Sequence, residues 1–356
     1  MERGSSNLSP LVELTGLQNS VAGKFESFLS KGLSYSQTPA ALIPPFDKLV
    51  ALDNPSRTVE TINELRRQHN LPENIPDGYE PPVGAEIAAH WSKRIGELPQ
   101  ARLGGKWVEA GDHLTVDVSG DISDAAAAEE STTQQLHEGV RRKAISFADV
   151  AKRLDNQVGW NGIASASRRF ADGVQCETKD IPKKIGAVYD ATIELGSFLD
   201  LDRRLQQDRT SSANPLDQDV RRAFTDLMRT AAPWVRRFPT ARELDDEAGS
   251  FLTRHELYEP SGQIVTEAAR TEVISENDAE LLRALLAAAN RGEFQGQKAG
   301  ARGYQSTRNL LIAGLSAVAV FYSGAVSSDF ATKSKLVQRV GTLLATHEEA
   351  AIKVMK

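Results

Sequence analysis

A mainly α-helical, multi-helix bundle is the fold class this sequence predicts, with one small β-hairpin and a C-terminal apolar helical hairpin. Three observations predict it. Helix-start signals recur along the chain, each followed by apolar residues spaced three and four apart. Strand-like alternation is confined to one short stretch. Residues 310–328 carry no charge at all.

The first start is Ser9-Pro10, a capping hydroxyl before a proline suited to the first helical position. Leu14, Leu17, Val21, Phe25 and Phe28 then make one stripe, ending near Gly32. Asn54-Pro55 repeats the signal, with Val59, Ile62 and Leu65 behind it. Residues 71–84 hold Pro72, Pro76, Pro81 and Pro82 and read as an extended loop. Trp91 shares a stripe with Ile87, Ile95 and Leu98. Between Trp107 and Val118, the Gly111-Asp112 pair suits a turn, and Leu114, Val116 and Val118 alternate with polar neighbours. A hairpin is expected there.

Leu136, Val140, Phe147, Val150 and Leu154 predict the next helix, and Ile185, Val188, Leu195 and Leu199 another. Asn214-Pro215 opens a stripe of Val220, Phe224, Leu227 and Ala231. Capping-box patterns at Thr240/Glu243 and Asn277/Glu280 open two more.

This punctuation divides the chain into a helical N-terminal domain with the hairpin (1–118), an acidic linker (119–133), a central helical domain (134–292), a glycine-rich linker (293–305) and a C-terminal pair of helices (306–356). The acidic segment, with Asp121, Asp124, Glu129 and Glu130, reads as a solvated linker or a frayed helix start. The glycines at 292, 296, 300 and 303 read as flexible.

With 356 residues, 40% of them hydrophobic and 25% charged, the chain has material for a real core. A net charge of -6 speaks against a dedicated nucleic-acid binder. One cysteine, Cys176, allows no disulfide within the chain and no multi-thiolate zinc site. The polar residues 1–7 lack a signal-peptide pattern, so a cytoplasmic location is expected, with or without anchoring to the inner face of a membrane.

The uncharged run leaves two readings open. A helix needs about 20 mostly apolar residues to cross a bilayer, and this run is long enough but rich in Gly, Ser and Ala. A core helix covered on all sides has the same signature. Leu311, Leu315, Val318, Phe321 and Tyr322 are the residues expected to make a membrane or self-association contact. The following stripe of Leu336, Val340, Leu343 and Leu344 would pack beside them.

Motifs for chemistry are weak. His255 and Glu259 stand one helical turn apart, a spacing that can share a metal, but no second histidine completes a zinc motif. Glu177 and Lys179 form Glu-x-Lys, which on a strand with a carboxylate such as Asp172 would suit a Mg²⁺-dependent nuclease or hydrolase. No sheet is expected around them, and a solvated loop is the simpler reading. Six Arg-Arg pairs occur, five of them between Arg141 and Arg237. Arg203, Arg204, Arg221 and Arg222 are the candidates for contact with an anion or an acidic partner. Interleaved acids such as Asp200, Asp202, Asp217 and Asp219 favour a salt-bridged helix surface instead.

No motif set identifies a family. The leading expectation is a non-catalytic interaction or scaffold protein that needs no cofactor, binds itself and a further protein, and self-associates through its apolar C-terminal helix. The alternatives are a membrane-inserting effector with a docking region, and a metal-dependent hydrolase or nuclease.

Overall fold

A computed structural model describes residues 106–117, 120–208, 210–322 and 330–355. The expectations for residues 1–105, which include the first two helices, the proline-rich loop and the Trp91 stripe, fall outside the described residues. Among those described, two strands and eleven α-helices appear. The structure is mainly helical with one small antiparallel sheet.

Strands β1 (Lys106–Ala110) and β2 (His113–Asp117) form the expected hairpin, with Trp107 opposite Val116 and Ala110 opposite His113. Gly111 makes the turn at φ 69°, a left-handed value that glycine adopts without Cβ strain. The hairpin is tied down at both ends of its apolar face. Leu114 donates its backbone N–H to Val273 at 2.7 Å, and the Trp107 indole donates to the Ser306 carbonyl at 2.7 Å.

Helix α1 (Ile122–Glu129) is followed directly by α2 (Ser131–Ala151). Of the two readings of the acidic stretch, the helix start is the one seen, over Ile122–Glu129. Asp121 caps α1, and the Asp121/Asp124 pair forms a reciprocal capping box. The Asp124 carboxylate is also buried, where it accepts bonds from the backbone N–H and hydroxyl of Thr240. That contact takes Thr240 out of its expected cap. Helix α6 (Pro239–Gly249) instead starts on Pro239, whose fixed φ suits the first turn.

Between them lie α3 (Ile163–Val174), a 3-10 turn (Thr178–Lys184), α4 (Ile185–Gln207) and α5 (Gln218–Val235). Their apolar faces share one core. In it Phe147 stacks on Phe224 at 4.4 Å, and Trp160, Phe170, Phe198 and Trp234 are fully buried. Stacking of this kind adds to plain area burial.

A second core gathers the hairpin with α7 (Tyr258–Arg270), α8 (Glu276–Ala288), α9 (Gln295–Tyr322), α10 (Phe330–Thr346) and α11 (Glu348–Met355). Helix α8 begins two residues before the expected box. Ser275 is its cap, accepting from the Asp278 N–H at 3.1 Å.

Helix α9 is the largest departure from expectation. It runs 28 residues and takes in the glycine-rich stretch read as a linker. The glycines are contact points. A Cβ on Gly296 would lie 2.6 Å from the Ala288 carbonyl, and one on Gly303 2.8 Å from Leu286. At spacings of four and three, these glycines let α7 and α8 approach the α9 backbone. Beyond them Leu310, Leu311, Ile312 and Leu315 are buried inside the chain's own second core. Among the described residues no helix is long and apolar enough to cross a membrane.

Helix α4 carries buried charge. Asp190, Glu194, Asp200 and Asp202 are all at most 7% exposed. Asp200 and Asp202, expected on a salt-bridged surface, are thus interior groups. Asp202 accepts from the Leu216 N–H and from Arg221. Asp200 accepts from the N–H groups that open α9, satisfying donors a helix start leaves unpaired.

Candidate functional site

The nuclease-type residues do not assemble. Glu177 and Lys179 pair with each other at 2.5 Å on the surface, each 71% exposed. They belong to the loop and 3-10 turn after α3, not to a strand, and Asp172 is exposed on α3. Cys176 is half-buried, and burial pushes its thiol above the usual range, away from the nucleophilic thiolate. Among the described residues no group of three or more His, Cys, Asp or Glu could hold a metal ion.

The arginine pairs split. Arg221 turns inward to Asp202 and to the Leu216 carbonyl, while Arg222 is exposed. Arg203 lies along the surface to Asp200 at 3.2 Å. Arg204 donates to the Asn290 carbonyl at 3.0 Å, in the segment joining α8 to α9.

That segment closes one end of a cleft of about 640 Å³. Ligand pockets fall in the range of roughly 300–1,000 Å³. One wall is the start of α7 with the 3-10 turn before it, presenting His255, Tyr258, Glu259 and Gly262. These positions recur every three or four residues and so share a face. The other wall is α8, presenting Arg283, Leu286 and Ala287 at the same spacing. Asn290, Ala289 and Gln297 of α9 complete the lining.

The walls are held by close packing. The Tyr258 ring lies against Gly300, where a Cβ would stand 2.8 Å from Cε2. His255 meets the Tyr258 ring edge-on at 5.5 Å. The Tyr258 hydroxyl donates to the Phe251 carbonyl at 3.4 Å. Its pKa is pushed up to about 12, first by burial and then by the nearby Glu256 carboxylate. The phenol is therefore a neutral donor throughout the physiological range.

The polar groups differ in how far the fold uses them. Arg283 is neutralised by Glu276. Gln297 donates its amide to the Ala289 carbonyl at 3.1 Å, which fixes the side-chain orientation. Its Oε1 is buried and has no donor among the described residues. An acceptor in that state costs on the order of 1–3 kcal/mol. Glu259 is exposed at the mouth, with no basic partner among the described residues.

His255 and Glu259, the residues spaced for a metal, therefore do share a site, but with an amide, a phenol and an arginine instead of further metal ligands. Tyr258, Arg283 and Gln297 carried no sequence motif. The available signal was the glycine spacing on α9, which marks the helix face that α7 and α8 pack against. Leu311 and Leu315 are enclosed by their own chain, 2% exposed each; Val318, Phe321 and Tyr322 are helical, and their side chains fall outside the described set.

No protein-family model, curated protein or solved structure matches this chain.

Proposed function

We propose that the protein is a non-catalytic helical binding module whose ligand enters the cleft between α7, α8 and α9. One observation carries this reading. The cleft joins closely packed walls to polar groups that the fold leaves unused, namely Glu259, which is exposed, and the buried Gln297 acceptor. Groups left over from folding in a concave site are what a ligand would complete.

Gly262 provides the test. It lines the cleft, and a Cβ there meets nothing within 4 Å, so a side chain can leave the helix at this position and Gly262→Trp should occupy the cleft. A ligand of this site raises the melting temperature of the native protein by mass action. The shift should vanish in the filled variant. A library of small molecules and short peptides that yields no Gly262-dependent shift rejects the module.

An assembly role belongs to the same proposal. In it α9 and α10 form the apolar C-terminal hairpin, with Val340 set against Gly314, and copies associate there. Because Leu311 and Leu315 are already enclosed, the remaining candidates for this contact are Val318, Phe321 and Tyr322. The double change Val318→Asp and Phe321→Asp should reduce the particle mass seen by light scattering. An unchanged mass removes the assembly role.

A further inference from the structure

From the chemistry of the cleft we infer that its ligand is an organic cation, a small molecule bearing a primary ammonium or guanidinium group. The inference rests on the binding-module reading and names the ligand class of the same site.

The charges and hydrogen-bonding capacity of the lining point one way. Its cationic side chain, Arg283, is already matched by Glu276. Its anionic side chain, Glu259, is matched by no basic group among the described residues. A second carboxylate, Glu256, lies near the Tyr258 hydroxyl. Among the buried polar atoms of the lining, Gln297 Oε1 is an acceptor without a donor and so calls for one. An ammonium offers three donors and a guanidinium five, and neither brings an acceptor that would compete with water.

Tyr258 and His255 line the same cleft and meet edge-on at 5.5 Å. The apolar part of the lining, Gly262, Leu286, Ala287 and Ala289, is small. It suits the methylene chain of a diamine or an agmatine-like molecule better than a bulky ring. An anionic ligand would meet Glu259 unscreened and leave the Gln297 acceptor without a donor.

Isothermal titration calorimetry of the full chain with putrescine, spermidine and agmatine tests this. The native protein should bind at least one of them. Glu259→Gln keeps size and hydrogen bonding but removes the charge, and should weaken binding at least tenfold. Glu259 is exposed, so this variant should fold as the native protein does, which its circular dichroism spectrum and melting temperature check. Gly262→Trp should abolish binding. Amine binding that is unchanged in both variants overturns the inference, as does an absence of amine binding in the native protein. If a neutral or anionic compound binds instead, and Gly262→Trp abolishes that binding, the cation inference falls while the binding module stands. If no compound depends on Gly262, both fall.

Discussion

Arg302 Nε donates to Asp190 Oδ1 at 2.9 Å, and the two side chains are 0% and 3% exposed. The pair joins α9 to α4 across the two hydrophobic cores. Burial holds the Asp190 carboxyl above the usual carboxylate range, and Arg302 offsets that only in part. Arg302 also donates to Gln305, whose amide donates to Glu247 on α6, so the pair is the centre of a longer polar chain. Breaking a buried pair strands a charge and costs about 3–5 kcal/mol, whereas replacing both partners with apolar groups is often neutral or better. Arg302→Met should therefore unfold at markedly lower urea. The double variant Arg302→Met with Asp190→Leu should recover much of that loss. A double variant as weak as the sum of the two single changes would show that the two side chains are not coupled and that each acts through its other contacts.

The glycines of α9 and α7 should respond in opposite directions to one methyl group. Alanine is favoured over glycine within a helix by ~1 kcal/mol. At Gly262 the new Cβ meets open space, so Gly262→Ala should raise the melting temperature. At Gly300 it would stand 2.7 Å from Ala289 Cβ and 2.8 Å from the Tyr258 ring. Overpacking there should outweigh the propensity gain, for a net loss on the order of 1–3 kcal/mol. Thermal unfolding of the two variants decides it. A stabilised Gly300→Ala would mean that α7 and α8 do not approach α9 this closely.

These residues also show where sequence reasoning stopped. Helices α2, α4 and α5 were legible because each sets an apolar stripe at helical spacing on a core, and the hairpin because Gly111-Asp112 interrupts an alternating pattern. The first half of α9 was not legible. Its glycines mimic a linker until their neighbours are known, and Arg302 looks solvated until Asp190, 112 positions earlier, is placed beside it. The cleft was half visible for the same reason. His255 and Glu259 are one turn apart in sequence, while Arg283 and Gln297 join them only through the packing of three helices.

His137 gives the chain a pH-dependent stability. Its Nε2 faces the Val174 carbonyl at 3.0 Å, which can only accept, so this nitrogen carries the proton. Nδ1 then accepts from the Thr178 hydroxyl at 2.7 Å, and the ring stacks on Trp234 at 5.0 Å. Burial, and less strongly Arg141, lower its pKa below 6.5. The unfolded chain thus takes up the proton first as pH falls. The stabilisation is fully present above 6.5 and is lost as pH falls through the folded value. Urea midpoints of the native protein and of His137→Gln, compared between pH 7.5 and 5.5, isolate this contribution from the carboxylates. The native protein should lose more stability over that interval than the variant. Parallel curves would place the proton elsewhere.

The Arg221-Arg222 pair offers the sharpest contrast between a structural and a surface arginine. Arg221 spends its donors on both oxygens of Asp202 and on the Leu216 carbonyl, closing the loop that precedes α5. A planar fork makes those contacts together; a lysine ammonium on its flexible stem reaches fewer of them. Arg221→Lys should therefore destabilise even though the charge is kept, because Asp202, 2% exposed, loses part of its satisfaction. Arg222 is exposed, and Arg222→Ala should leave the urea midpoint where it was. Equal losses from both changes would mean that the pair acts as one charged patch, and would return Arg221 to the candidates for partner contact.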